Sequence, residues 1–268
     1  RRWVIPGGSI LAARGFVKLR FDPDLPSSPT NAGFGLKANG GSVYLFNRLP
    51  GGGGLASAVS YGLQAGDWSL GRVPDGSTNW VLNVPSLSGA NIAATLGDPL
   101  QLKINEWMAD PASGDDWFEV YNPNAQPVDI CRCWLSDDLV NRTKHQIPAL
   151  SFIGAAPNAY QKFDAIGTTT PDADKVSFSL RAAGEAVAIS TSTGVLINGA
   201  SFGGQATGVS EGLLPDGSNN RVFFPLTATP GNANFLPIGS VVINELLSHS
   251  DPPLEDAVEI FNPTGDDV

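Results

Sequence analysis

The chain repeats itself at a spacing too long for a solenoid turn and long enough for a small domain. Ile104-Asn105-Glu106 returns 139 residues later as Ile243-Asn244-Glu245, and Glu119-Val120-Tyr121-Asn122-Pro123 returns 140 residues later as Glu259-Ile260-Phe261-Asn262-Pro263. The other half of the repeat lies upstream. "SYGLQAGDWSLGRVPDGS" (60–77) matches "SFGGQATGVSEGLLPDGS" (201–218), and "FGLKANGGSVYLF" (34–46) matches "FSLRAAGEAVAIS" (178–190). "VIPGGSILAARGFVKLRFD" (4–22) matches "QIPALSFIGAAPNAYQKFD" (146–164), and "GAN" (89–91) echoes "GNAN" (231–234). A period of about 140 residues fits whole domains in tandem. On this period the 268 residues divide into three: 1–95, a unit lacking its opening strands; 101–235, a complete unit; and 241–268, the opening strands of a third.

Within a unit the residue pattern is that of short strands. Val, Ile, Thr, Phe and Trp come in brief runs cut by Asn, Asp and many of the 31 Gly and 21 Pro, and the single Met and lack of long Ala/Glu/Lys/Leu stretches leave little room for helices. The middle unit reads as strands over 102–108, 117–122, 128–137, a Pro-interrupted 145–154, 159–164, 176–180, 185–191, 194–203 and 221–226. In 117–122, Phe118 and Val120 fall on one face and Trp117, Glu119 and Tyr121 on the other. Asn39-Gly40 suits a type I′ hairpin turn. Eight or nine short strands with a turn about every ten residues predict an all-β fold of tandem sandwiches.

These motifs carry a resemblance. "INEWMADPASGDDWFEVYNPNAQPVDI…WLSDD", followed by "IP", an "SL…GEAVAI" hairpin, "SFG", "PDGS" and "PGNAN", resembles the lamin tail domain family. More closely, it resembles the bacterial members that stand in tandem in large secreted or cell-surface proteins. It covers nearly the whole chain. The resemblance implies an immunoglobulin-like β-sandwich, an extracellular or cell-surface setting, and no catalytic residues. Cys133 departs from the aromatic usual at its place, and Leu213 stands where the first unit has Arg72.

Charge narrows the partners. A net charge of -10 opposes nucleic acid and anionic membrane surfaces, both of which need a positive footprint. No apolar run is long enough to insert in a membrane. The chain opens mid-pattern, so its true N-terminus is expected elsewhere and the missing signal peptide says nothing of secretion. Cys131 and Cys133 read as small buried hydrophobes rather than a strained disulfide or a metal pair.

Candidate site residues are few. Glu106 and Glu119, repeated as Glu245 and Glu259, could form an acid–base pair, but their repetition with the scaffold favours a structural role. Asp115-Asp116, Asp137-Asp138 and Asp266-Asp267 supply the oxygen ligands of a Ca²⁺ site without a known Ca²⁺-loop spacing, so they read first as solvated turns. Trp68, in "QAGDWSLG", is the tryptophan expected to be exposed, as a stacking platform for a sugar ring. Asn141-Arg142-Thr143 is a glycosylation sequon. His145 and His249 lie in different units. The Gly51–Gly54 run has no following Lys-Ser/Thr and reads as a flexible turn, not a phosphate loop.

The leading expectation is a non-catalytic structural or adhesive module, with no cofactor, whose partners are neighbouring repeats or copies of itself joined through sheet edges. The alternative is a module binding carbohydrate or another cell-surface ligand, assisted by Ca²⁺. Residues 241–268 are expected to complete 1–95, in the same or a neighbouring molecule.

Overall fold

Runs of β-branched and aromatic residues broken by Gly, Pro and Asn give short strands here, and sheets rather than helices result. A computed structural model describes residues 3–48, 52–170, 172–239 and 241–264. Among these residues it is nearly all β, with no α-helix. The Asp266-Asp267 pair lies outside the described residues. Two compact units are present, Arg1–Asn234 and Phe235–Val268.

The complete repeat holds the main core. Its larger sheet runs in the order β13 (Lys175–Val176), β12 (Tyr160–Ala165), β7 (Asp116–Tyr121), β6 (Lys103–Met108), β16 (Ser210–Leu213) and β17 (Arg221–Phe224). The facing sheet runs β10 (His145–Gln146), β9 (Trp134–Ser136), β14 (Glu185–Ser190) and β15 (Leu196–Phe202), and β8 (Val128–Asp129) pairs with β11 (Phe152–Ile153). Trp107, Phe118 and Phe163 from the larger sheet meet Leu135, Val187 and Ile189 from the other in one buried cluster. Phe118 stacks on Phe163 at 5.4 Å and on Phe178 at 6.0 Å. The architecture is therefore a sandwich of mainly antiparallel sheets closed over an aromatic core.

The preceding repeat supplies β1 (Asn39–Phe46) and β2 (Leu55–Leu63), a hairpin, and the three-stranded sheet β3 (Ser69–Arg72), β4 (Trp80–Val84), β5 (Ile92–Ala93). It is joined firmly to the complete sandwich. Leu63, 2% exposed, belongs to the same core cluster as Phe118. Leu63 N–H donates to Ser151 Oγ at 3.1 Å, Gly62 N–H to the Ala149 carbonyl at 3.0 Å, and Asn39 Nδ2 to Asp174 Oδ1 at 3.0 Å. The second compact unit contains one described sheet, the hairpin of β18 (Val242–Leu247) and β19 (Ala257–Phe261).

Three expectations change. The run 128–137 is not one strand, because Cys131 N–H donates to Asp129 Oδ1 at 2.7 Å and Arg132 takes φ +59°, which turns the chain between β8 and β9. The two cysteines therefore flank a turn. Cys133 is buried, and burial pushes its thiol up to about 12, whereas Cys131 is only half-buried. The run 176–180 contributes a strand only as far as Val176, while β16 joins the sheet unanticipated. On the second face of β7, Glu119 is as fully buried as Phe118 on the first, while Tyr121 is half-buried.

Candidate functional site: a buried carboxylate latch

The covering loops converge on the β6–β7 hairpin. A register shift between Ile104 and Glu106 places a bulge at Asn105. Adjacent residues of a regular strand face opposite ways, but a bulge re-aims a side chain, so Asn105 and Glu106 can both serve one polar cluster. Asn105 Nδ2 donates to Glu119 Oε1 at 3.1 Å and to Asp216 Oδ1 at 2.9 Å. Its Oδ1 accepts from Gly217 N–H at 2.9 Å, and its main-chain carbonyl accepts from Asn234 Nδ2 at 3.3 Å. One residue, through its side chain and its main-chain carbonyl, thus ties the hairpin to the Pro-Asp-Gly turn and to the last loop of the repeat.

The carboxylates are held from the same loops. Glu106 accepts from the Ser210 hydroxyl at 2.5 Å, and from Thr229 N–H at 3.1 Å and Thr229 hydroxyl at 3.1 Å. Glu119 accepts from Gly231 N–H at 2.6 Å. Asp216 accepts from the Tyr160 hydroxyl at 2.8 Å and from Asn234 N–H at 3.1 Å. Tyr160 in turn stacks on Tyr121 at 5.0 Å.

Glu106 and Glu119 are both 0% exposed. Burial disfavours the charged form and pushes Glu119 up to about 8, with Glu106 and Asp216 nearby adding to the rise against the donors from Asn105 and Gly231. Burial also raises Glu106, against the hydrogen bonds from Ser210 and Thr229. Two carboxyl groups with displaced affinities for protons could trade one. Here, however, each is turned inward onto donors of its own chain, and the arrangement acts as a latch that closes loops over the sheet.

The other candidates are dispersed. Asp116 accepts from Leu180 N–H at 2.8 Å and is raised by burial, while its neighbour Asp115 is exposed. Asp137 pairs with Lys144. Asp138 accepts from Val140 N–H at 2.7 Å and Asn141 N–H at 3.1 Å, which hold its carboxyl below the usual range. Among the described residues no three His, Cys, Asp or Glu side chains gather as for a metal ion. Trp68 is half-buried, packed against Ala65, Leu82 and Phe152. Beside it, Gln64, Asn158, Tyr160 and Gln161 line a small polar crevice of about 130 Å³. His145 is partly buried beside Ser177, and burial lowers its affinity for a proton.

Sequence reasoning found both glutamates and missed the amides and hydroxyls that hold them. The signal is present: Asn105, Asp216 and Asn234 all lie in motifs that repeat along the chain. No protein-family profile, no curated protein and no solved structure matches the chain.

Proposed function

We propose that the chain is a stretch of tandem, lamin-tail-like, immunoglobulin-type sandwiches that serve as a non-catalytic structural or adhesive module of a large extracellular protein. The observation that carries this reading is the joint between successive repeats. Leu63 of one repeat is buried in the core of the next, and Asn39 and Gly62 bond to it through side chain and backbone. A joint that shares a core resists bending, which suits a spacer and gains nothing for a hinge-bound active site. The latch supports the same reading, because its carboxylates are spent on loop closure. The acidic surface suits a role away from nucleic acid.

A second reading, a sugar-binding module, has one observation in its favour: the polar, tyrosine-bearing crevice beside Trp68. One pair of measurements separates the two. A glycan array without hits, and a melting temperature indifferent to Ca²⁺, are the results expected of the structural module. A reproducible glycan hit lost on Gln64→Ala, or a Ca²⁺-dependent rise in melting temperature, would sink it in favour of the second reading.

A further inference from the structure

The Thr229 hydroxyl has a single hydrogen and a pair of oxygens competing for it. Glu106 Oε2 lies 3.1 Å from Thr229 Oγ1, and Asn234 Oδ1 lies 2.8 Å from it. A hydroxyl donates once and accepts through its lone pairs, so it bonds both oxygens at once only if one of them brings a hydrogen of its own. Asn234 Oδ1 cannot bring one. Nor is that amide turned the other way, because Asn234 Nδ2 donates to the Leu213 carbonyl at 2.8 Å and to the Asn105 carbonyl at 3.3 Å, which fixes the oxygen end of the group. The remaining source is Glu106, whose carboxyl group donates when it holds a proton and only accepts when it is ionised.

The surroundings favour the proton. Glu106 is fully buried, and Glu119 of β7 stands at the paired position across the hairpin. Asp216 of the Pro-Asp-Gly turn adds a second like charge, and Tyr160 of β12 donates to Asp216 from behind. Lys103, at the start of β6, runs beside Gly217, and Glu211 of β16 pairs with Arg221 of β17. Among the described residues no Lys or Arg forms an ion pair with Glu106, Glu119 or Asp216. Three carboxyl groups therefore meet without a paired cation, an arrangement in which burial and like charge both hold a proton on.

We propose that Glu106, Thr229 and Asn234 form a two-position proton switch within the latch. In the closed position Glu106 is a neutral acid that donates to Thr229 Oγ1, and the Thr229 hydroxyl donates to Asn234 Oδ1. Ser210 and Thr229 N–H keep Glu106 Oε1 as their acceptor, at 2.5 and 3.2 Å, so every group in the chain is met. In the loosened position Glu106 is ionised, the Thr229 hydroxyl turns to it, and Asn234 Oδ1 loses that donor. Asn234 is only 7% exposed, so the loss leaves a buried acceptor unmet. Asn234 also ties the last loop of the repeat to β16 through Leu213, to β6 through Asn105 and to the turn through Asp216. Ionising Glu106 therefore weakens that loop's hold on the sheet. The proton affinity of Glu106 is raised in the folded chain, so the closed position is held at low pH and lost as pH rises through the folded titration. The switch lies within one repeat and needs no partner, so it holds whether or not the structural-module reading does.

Nuclear magnetic resonance on the full chain tests this in two ways. The chemical shift of the Glu106 carboxyl carbon reports the proton directly. It is expected to stay at the neutral-acid position while the exposed carboxyl groups ionise, and to move only at higher pH. Native-state hydrogen exchange, read as protection factors to remove the intrinsic pH dependence of exchange, reports the loop. Protection of the Asn234 amide is expected to fall about tenfold as the Glu106 carbon titrates, the effect of losing one hydrogen bond, while Phe118 and Ile189 keep theirs. Glu106→Gln, whose amide donates to Thr229 at every pH, keeps Asn234 protected throughout. Thr229→Val leaves Asn234 weakly protected throughout. Glu119→Gln retains the pH dependence at Asn234, which separates the switch from the titration of Glu119. A Glu106 carbon that titrates with the exposed carboxyl groups overturns the proposal. So does Asn234 protection that stays flat or rises while Glu106 titrates, or a dependence that survives Glu106→Gln. The carbon shift is read on the unsubstituted chain, so it decides the matter even where a variant does not fold. None of these results touches the structural-module reading, which stands or falls on the glycan and Ca²⁺ measurements.

Discussion

Asn105 sits at a bulge, and that displacement lets one short amide bridge two carboxyl groups and a turn. Its side chain donates to Glu119 and Asp216 and accepts from Gly217 N–H, so removing it strands the fully buried Glu119 carboxyl. Asn105→Ala is expected to cost about 1–3 kcal/mol, read by urea unfolding, since it leaves a buried donor and acceptors unmet. The carboxyl groups give the latch a pH dependence of definite sign. Glu119 is raised to about 8 in the folded chain, so between the ordinary carboxyl range and about 8 the folded state holds a proton that the unfolded state has lost. Stability therefore falls as pH rises through that window, by at most about 1.4 kcal/mol per pH unit for this one group, and levels off above it. Glu119→Gln flattens the slope. A melting temperature that climbs from pH 5 to 8, or a slope untouched by the substitution, would contradict the assignment.

At the scale of elements, the same residue pattern folds or fails to fold into a strand according to its neighbour. Residues 160–165 pair along β7, while the matching run 18–22 has no such strand partner among the described residues and is held to Asn31 by the Arg20 bridge and by the hydrogen bonds of Asp22. Strand preference reflects packing and pairing more than intrinsic backbone bias. This is why the fold class was legible in the sequence and several boundaries were not. Repeats, turn residues and alternation located β6, β7, β14 and β15 within a residue or two. They did not show the turn at Cys131-Arg132, which is made by the Asp129 side chain, nor that Glu119 faces loops instead of water. A polar residue on a strand's second face ordinarily signals exposure, and here long-range hydrogen bonds from Gly231 override that signal. Backbone proximity makes a further demand at Gly212, where an added Cβ would stand 2.5 Å from the Asn105 carbonyl oxygen. Gly212→Ala is expected to force β16 from β6 and cost about 1–3 kcal/mol. Unfolding midpoints equal to those of the unsubstituted chain would show that the two strands are not so tightly apposed.

For the whole molecule, the decisive feature is that one repeat's hairpin ends inside the next repeat's core. The period visible in the sequence announced the repeats. The joint was not legible, because Leu63 and Ser151 are ordinary residues whose meeting depends on how two folded repeats are set against each other. Hydrogen exchange under native conditions tests the shared core most directly, since it reports the free energy of opening amide by amide. The amides of Gly62 and Leu63 are predicted to exchange only through the same global opening that exposes Phe118 and Ile189. Exchange of Gly62 and Leu63 at loop-like rates, with the sandwich core still protected, would contradict a stiff tandem joint and with it the structural role proposed for the chain.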